Sequence, residues 1–244
     1  MKDLSIRTMH ATLWVPPSTR AMLDIGCNVG ELLASVRKHS PETALAGCDV
    51  NAAAVEIARR NLPDADLRVC GAAELPFPDE AFDCVTCIET LEHIPPPEWS
   101  RSLKEMRRVL KPGGRLVLRT PHAGLFGWLD TNNLRFRAPG LYRRILGRGR
   151  RDAGYAEGSS GVYWHHHFSR REILALVGDG WEVESTRFGG CFVFPLGDYL
   201  LWPFYRFRRR GGWVRRAIER VREMDYELDY GRASYGILLA LKKT

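Results

Sequence analysis

The sequence predicts an α/β fold, a doubly wound parallel sheet with helices on both faces, and three observations predict it. Strand-like apolar runs alternate with helix-like segments from Met22 to Arg119. The first run ends in a glycine-rich turn, Asp24-Ile25-Gly26-Cys27-Asn28-Val29-Gly30, that opens onto a helix. The second ends in Cys48-Asp49-Val50, about 20 residues on, where an acidic side chain can accept both hydroxyls of a ribose.

The elements follow in order. Glu31 to His39 reads as a helix after the turn, and Ala44 to Val50 as the second strand. Asn51 is an N-cap for a helix to Asn61, with Ala54, Val55 and Ala58 on one face. Leu67 to Cys70 is the third strand, leading into Gly71-Ala72-Ala73-Glu74-Leu75-Pro76-Phe77-Pro78. Phe82 to Ile88 is the fourth, and Arg115 to Arg119 the fifth, entered through the turn Leu110-Lys111-Pro112-Gly113-Gly114. The glycine spacing, Gly26-x-x-x-Gly30 with Asn28 between, is not the G-x-G-x-x-G of a dinucleotide site.

Six motifs in this order carry a resemblance: the turn at residues 24–30, Asp49, Leu75-Pro76-Phe77-Pro78, Phe82-Asp83, Leu91-Glu92-His93-Ile94-Pro95 and Leu110-Lys111-Pro112-Gly113-Gly114. Together they resemble class I S-adenosylmethionine-dependent methyltransferases, in particular the group with small-molecule and quinone-precursor O-methyltransferases. The resemblance covers residues 20–122 well and 164–189 loosely. It implies a Rossmann-like seven-stranded sheet, mostly parallel with an antiparallel last strand beside the sixth. Trp181 to Gly189 fits the sixth strand and Ser234 to Lys242 the seventh.

The resemblance also implies cofactor-binding roles. Gly26 and Gly30, with Cys27 and Asn28 between them, would let the backbone approach the methionine part of S-adenosyl-L-methionine, and Asp24 would hold the turn or meet the ammonium through water. Asp49, followed by Val50, would take the ribose hydroxyls, since a carboxylate is acceptor-only. Gly71, Ala72 and Ala73 would border the adenine through backbone groups; Gly71 stands where relatives often have Asp. Ile88 and Glu89, at the end of the fourth strand, complete the cofactor set.

An oxygen acceptor must lose a proton, and histidine is the usual base. His93, just past the fourth strand at the carboxyl edge of the sheet, is the first candidate, and related quinone-pathway enzymes carry a similar Leu-Glu-His there. His122, after the fifth strand, and His167 are further catalytic candidates. The run His165-His166-His167 invites a metal reading, but local spacing offers no acidic or cysteine partner. It reads instead as the entry to a helix from Arg170 to Val177, and no metal is expected.

Composition fits one methyltransferase domain over residues 1–244. The six cysteines show no metal or disulfide framework, residues 1–20 lack a continuous apolar core, and no run has transmembrane length, so a cytoplasmic protein is expected. The charge of +7 is uneven. Residues 125–220 hold 17 Arg against 9 acids and no Lys, whereas residues 1–124 hold 15 basic against 16 acidic residues.

That basic stretch coincides with two insertions, 123–168 and 190–233, expected to cap an acceptor pocket. Residues 197–216 place Tyr199, Trp202, Phe204, Tyr205 and Phe207 beside Arg206, Arg208, Arg209 and Arg210, followed by Trp213, Arg215 and Arg216. Aromatics with arginine suit a membrane interface or an anionic, lipid-linked acceptor. The expected activity is therefore O-methylation of a small-molecule, glycan or lipid-linked hydroxyl. RNA methylation is the alternative, favoured by the pI of about 9.3. Against it, Ile88-Glu89-Thr90-Leu91 replaces the Asn/Asp-Pro-Pro-aromatic tetrad of base-amine methylation, so nucleic acid is not the expected partner. A catalytically silent cofactor-binding protein is the third reading. The sequence sets no oligomeric state.

Overall fold

The computed structural model describes residues 11–130, 133, 138, 140, 165–206 and 212–244. Strand β1 (Ala21–Ile25) leads to α1 (Glu31–His39), β2 (Ala44–Asp49), α2 (Ala52–Asn61) and β3 (Asp66–Val69). After β4 (Phe82–Ile88) come two 3-10 turns, Leu91–His93 and Pro96–Glu98, then α3 (Trp99–Val109) and β5 (Leu110–Pro121). The chain continues through α4 (Arg170–Val177), β6 (Trp181–Gly189), α5 (Val193–Arg206), α6 (Gly212–Glu227) and β7 (Gly236–Lys243).

The seven strands form one sheet in the order β3-β2-β1-β4-β5-β7-β6. The pairs β1/β2, β1/β4, β2/β3 and β4/β5 are parallel. The last strand runs antiparallel to β6: Tyr235 N–H donates to the Gly190 carbonyl at one end and Thr244 N–H to Gly180 at the other. This is the expected topology, and it places the ends of β1, β2 and β4 along one carboxyl edge, where ligands bind in open α/β sheets.

The sequence explains each element. Asn51 caps α2, its Oδ1 accepting from the N–H groups of Ala53 and Ala54. Met22, Leu33, Val36, Val55, Ala58, Cys84 and Val117 are buried in one apolar cluster that joins α1 and α2 to the sheet. The Lys-Pro-Gly-Gly segment, expected as a turn before the fifth strand, is instead an irregularity within it. Phe82 pairs with Leu110 and Cys84 with Arg115, so three residues are extra, and Gly113 (φ 75°) absorbs the bend. All six cysteines are free thiols.

The chain divides into two compact units: Met1–Thr120 with Arg171–Thr186 and Leu238–Thr244, and Pro121–Arg170 with Arg187–Ile237. The expected insertions, 123–168 and 190–233, fall inside the second. Within it, α5 and α6 pack together, and Asp225 of α6 accepts through Oδ2 from the N–H groups of Cys191 (2.9 Å) and Phe194 (2.8 Å). Asp225 thereby serves as the N-terminal cap of α5 from a distance in sequence.

Candidate functional site

In the first unit, the turn between β1 and α1 is held in a shape that only its glycine can adopt. Gly26 has φ 76°, and a Cβ there would collide with the Oγ1, Cγ2 and Cβ of Thr90. Its N–H and that of Cys27 both donate to the Cys48 carbonyl, at 2.8 and 3.0 Å. Asn28 and Gly30 are also left-handed, at φ 46° and 83°. Thr90, from the end of β4, donates its hydroxyl toward the carbonyls of Ile88 (3.0 Å) and Ile25 (3.3 Å). The turn is therefore packed backbone against side chain.

Asp49 is the polar centre of this edge. Its Oδ2 accepts from Asn28 N–H (2.9 Å) and its Oδ1 from Asn51 N–H (2.8 Å). Each oxygen has two lone-pair sites, so one on each side remains after these bonds, and the carboxylate plane is set by backbone rather than by a rotamer choice. Around it lie Val50, Asn28 and Gly71, all exposed. Val50 is 58% exposed, an apolar side chain with one face turned to solvent beside the open backbone of Gly71. Ala72 is half-buried and Ala73 buried.

Beneath the turn, Asp24 is buried and accepts from the Thr86 hydroxyl at 2.7 Å. Loss of solvent pushes its carboxyl up to about 7; the Thr86 bond opposes this and the charge of Asp49 adds to it. The Cys27 thiol, buried next to both carboxylates, is raised as well, chiefly by desolvation.

At the end of β4, Ile88 and Glu89 are half-buried, and Glu89 has φ 52°. That strained backbone is fixed by the bond from Glu89 N–H to the Arg119 carbonyl and by an ion pair between Glu89 Oε1 and Arg119 Nη1 at 2.5 Å. The Arg119 side chain is almost fully buried. Glu92 is buried too, accepts from Thr120 at 3.2 Å, and is pushed well up by desolvation and by Glu89. His93 follows on the Leu91–His93 turn with its side chain exposed. The sequence reading overlooked Thr86, Thr90, Arg119 and Glu92 because nothing in local spacing marks a partner on another strand.

The second unit collects the remaining histidines. His122 is buried, its ring edge-on to Phe188, with Nδ1 3.0 Å from the Ser234 carbonyl. A carbonyl only accepts, so Nδ1 carries the hydrogen and Nε2 the lone pair. Burial lowers its pKa, and the neighbouring His167 lowers it further, so the ring is neutral near pH 7. His167 sets Nδ1 3.0 Å from the His122 carbonyl and Nε2 2.8 Å from Asp130 Oδ2. His165 Nδ1 faces the same Asp130 oxygen. Asp130 is buried; desolvation would raise its carboxyl, but the facing imidazoles of His165 and His167 outweigh that and hold it well below the usual range. Asp130 is the acidic neighbour that spacing did not reveal, because it lies 35 residues before His165 in the chain.

A family model described as a methyltransferase domain matches residues 23–118. A demethylmenaquinone methyltransferase of Deinococcus radiodurans is 33% identical over 117 residues, covering 45% of this chain and 48% of that protein. A tRNA N(3)-cytidine methyltransferase of Danio rerio is 29% identical over 147 residues, 56% of this chain and 40% of that protein. The chain thus spans about half the length of the curated relatives it matches. Among solved structures, a sarcosine dimethylglycine methyltransferase assignment from Galdieria sulphuraria superposes with TM-score 0.61 at 13% identity, over 92% of this chain and 78% of the other. At that identity the likeness shows the fold.

Proposed function

We propose that the chain is a class I S-adenosylmethionine-dependent methyltransferase that transfers a methyl group from S-adenosyl-L-methionine to a hydroxyl of a small-molecule, glycan or lipid-linked acceptor, a reading supported by the methyltransferase-domain match over residues 23–118. The observation that carries the cofactor assignment is the Asp49 carboxylate, oriented by two backbone N–H groups with an acceptor site left on each oxygen.

The residues present fit that cofactor. Asp49 would accept the two ribose hydroxyls. Val50 would lie against the adenine, with Gly71, Ala72 and Ala73 bordering it through backbone and small side chains. Gly26, Cys27, Asn28 and Gly30 would present backbone to the methionine part, and Asp24 would answer its ammonium. Ile88 and Glu89 would close the edge beyond β4. When bound, the cofactor supplies a sulfonium-activated methyl group; the protein contributes position and proton transfer.

For the proton, His93 is the base we assign, exposed on a turn at the carboxyl edge. Pro95 and the bond from Trp99 Nε1 to the Ile94 carbonyl (2.8 Å) stiffen the segment that follows it. His122, neutral with its lone pair on Nε2, can accept a proton from an acceptor hydroxyl. His167 is poorly suited to that role, since both its nitrogens already face acceptors.

An amphipathic surface favours the lipid-linked class. Trp213 (75% exposed), Val214, Val221, Met224 and Leu228 are all exposed and fall in one sector of α6 and its end. Arg216 and Arg220 are exposed beside that sector, and Arg208-Arg209-Arg210 precede the helix in sequence. An apolar face with flanking arginine suits an anionic lipid surface. Of the 197–216 segment itself, residues 207–211 lie outside the described residues, as do Arg135, Arg137 and the arginines of 143–151 in the first insertion. Among the described residues no helix is long and apolar enough to cross a membrane.

The test is transfer of radiolabelled methyl from S-adenosylmethionine to acceptor pools separated by polarity: lipid extract, glycan, small phenols and tRNA. Label in a lipid or small-molecule hydroxyl supports the reading. Label in tRNA alone would move the activity to the RNA alternative, and cofactor binding with no transfer would support the silent-protein alternative.

A further inference from the structure

The Asp130–His165–His167 cluster has a geometry that calls for a cation. His167 Nδ1 lies 3.0 Å from the His122 carbonyl, so it carries hydrogen. In the neutral ring Nε2 then presents a lone pair, and it does so 2.8 Å from the carboxylate oxygen Asp130 Oδ2. Two lone-pair atoms this close repel unless a positive charge lies against both. His165 Nδ1 converges on that same oxygen, and the three donor atoms all lie within 4.8 Å of one another.

The surroundings look built for this convergence. Residues 165–167 are non-helical, so alternate side chains share a side: His165 and His167 turn to Asp130 while His166 turns to the ring of Phe168, 4.5 Å away. Asn133 clamps the His165 backbone twice, Nδ2 donating to its carbonyl (2.7 Å) and Oδ1 accepting from its N–H (2.9 Å). The contact of His167 Nδ1 with a backbone carbonyl is the outer bond that metal-ligating histidines characteristically make, fixing tautomer and ring plane. All three side chains are nearly buried.

We propose that Asp130 Oδ2, His165 Nδ1 and His167 Nε2 bind a divalent transition-metal ion, with Zn²⁺ the best match to two imidazoles and a carboxylate. With these three ligands, the ones found among the described residues, a tetrahedral ion has a fourth position to fill. Metal arms of about 2.0–2.2 Å at tetrahedral angles set donor spacings near 3.4 Å, so the Asp130–His167 pair, now at 2.8 Å, opens by roughly half an ångström on binding. The ion would join the Gly127–Leu129 turn to the strand-like segment before α4, two parts of the second unit far apart in sequence. Copper and nickel would compete by raw affinity, so the choice in the cell depends on supply.

The experiment uses the full chain with any affinity tag removed. Zn²⁺ is titrated calorimetrically and Co²⁺ by visible absorption. The expected result is one equivalent of Zn²⁺ and a four-coordinate Co²⁺ spectrum that Zn²⁺ displaces. Asp130→Ala and His167→Gln should weaken binding by roughly a hundredfold or more, while His39→Gln, a histidine in α1, should bind as wild type. Absence of Zn²⁺ binding by the wild-type chain overturns the proposal without reference to any variant. Equal binding by wild type and both folded variants would also overturn it.

Discussion

Asp24 makes the affinity for S-adenosylmethionine depend on pH. It is fully buried under the glycine turn, and burial raises its carboxyl to about 7, so near neutrality half the molecules hold a proton there. A cationic ligand group above the turn favours the carboxylate. Below pH 7, binding must therefore expel a proton, and affinity falls tenfold per pH unit. At about pH 5.5 the Kd should be roughly thirtyfold weaker than its plateau above about pH 8, a difference of about 2 kcal/mol. The unliganded protein shows the opposite trend. The folded pKa lies above the unfolded value, so this group's stabilising contribution is complete below about pH 4 and is lost as pH rises through 7, a swing of order 4 kcal/mol. Asp24→Asn keeps an acceptor for the Thr86 hydroxyl and removes the titration. Isothermal calorimetry across this pH range, with thermal melts of the unliganded chain, reads both effects. A Kd that does not change with pH, or an Asp24→Asn variant with the wild-type slope, would refute the reasoning.

Three further outcomes are expected. Gly26→Ala places a Cβ at positive φ against Thr90, costing about 2 kcal/mol or more and lowering the melting temperature by roughly 5 °C; a wild-type melt would show that the turn relaxes freely. His93→Gln should lower kcat by about 10²-fold or more while the cofactor Kd stays unchanged; unchanged turnover returns the proton to His122. Trp213→Glu should weaken co-sedimentation with anionic vesicles by roughly tenfold, and a wild-type chain that ignores such vesicles at low salt contradicts the lipid-surface reading.

The order of the strands, the glycine turn and Asp49 were legible because each depends on neighbours close in sequence: a strand, a turn, a cap. Asn51 shows this well, since its capping role needs only the next three residues. What supports the site was not legible. Thr90 closes over Gly26 from 64 residues away, and Arg119 reaches Glu89 from the neighbouring strand, 30 residues on. An arginine inside an apolar strand carries no local sign that it is paired. The histidine run was visible, but Asp130, which gives it chemical meaning, belongs to a separate turn. The Lys-Pro-Gly-Gly segment was recognised as a bend, whereas only strand pairing shows that the ladder continues through it.

Calorimetric binding of S-adenosylmethionine to the wild-type chain and to Asp49→Ala tests the central claim most directly. The account predicts one site on the wild type and a loss of at least about 3 kcal/mol in the variant, from two charge-assisted hydrogen bonds. No binding by the wild-type chain, or equal affinity in the two proteins, would contradict it.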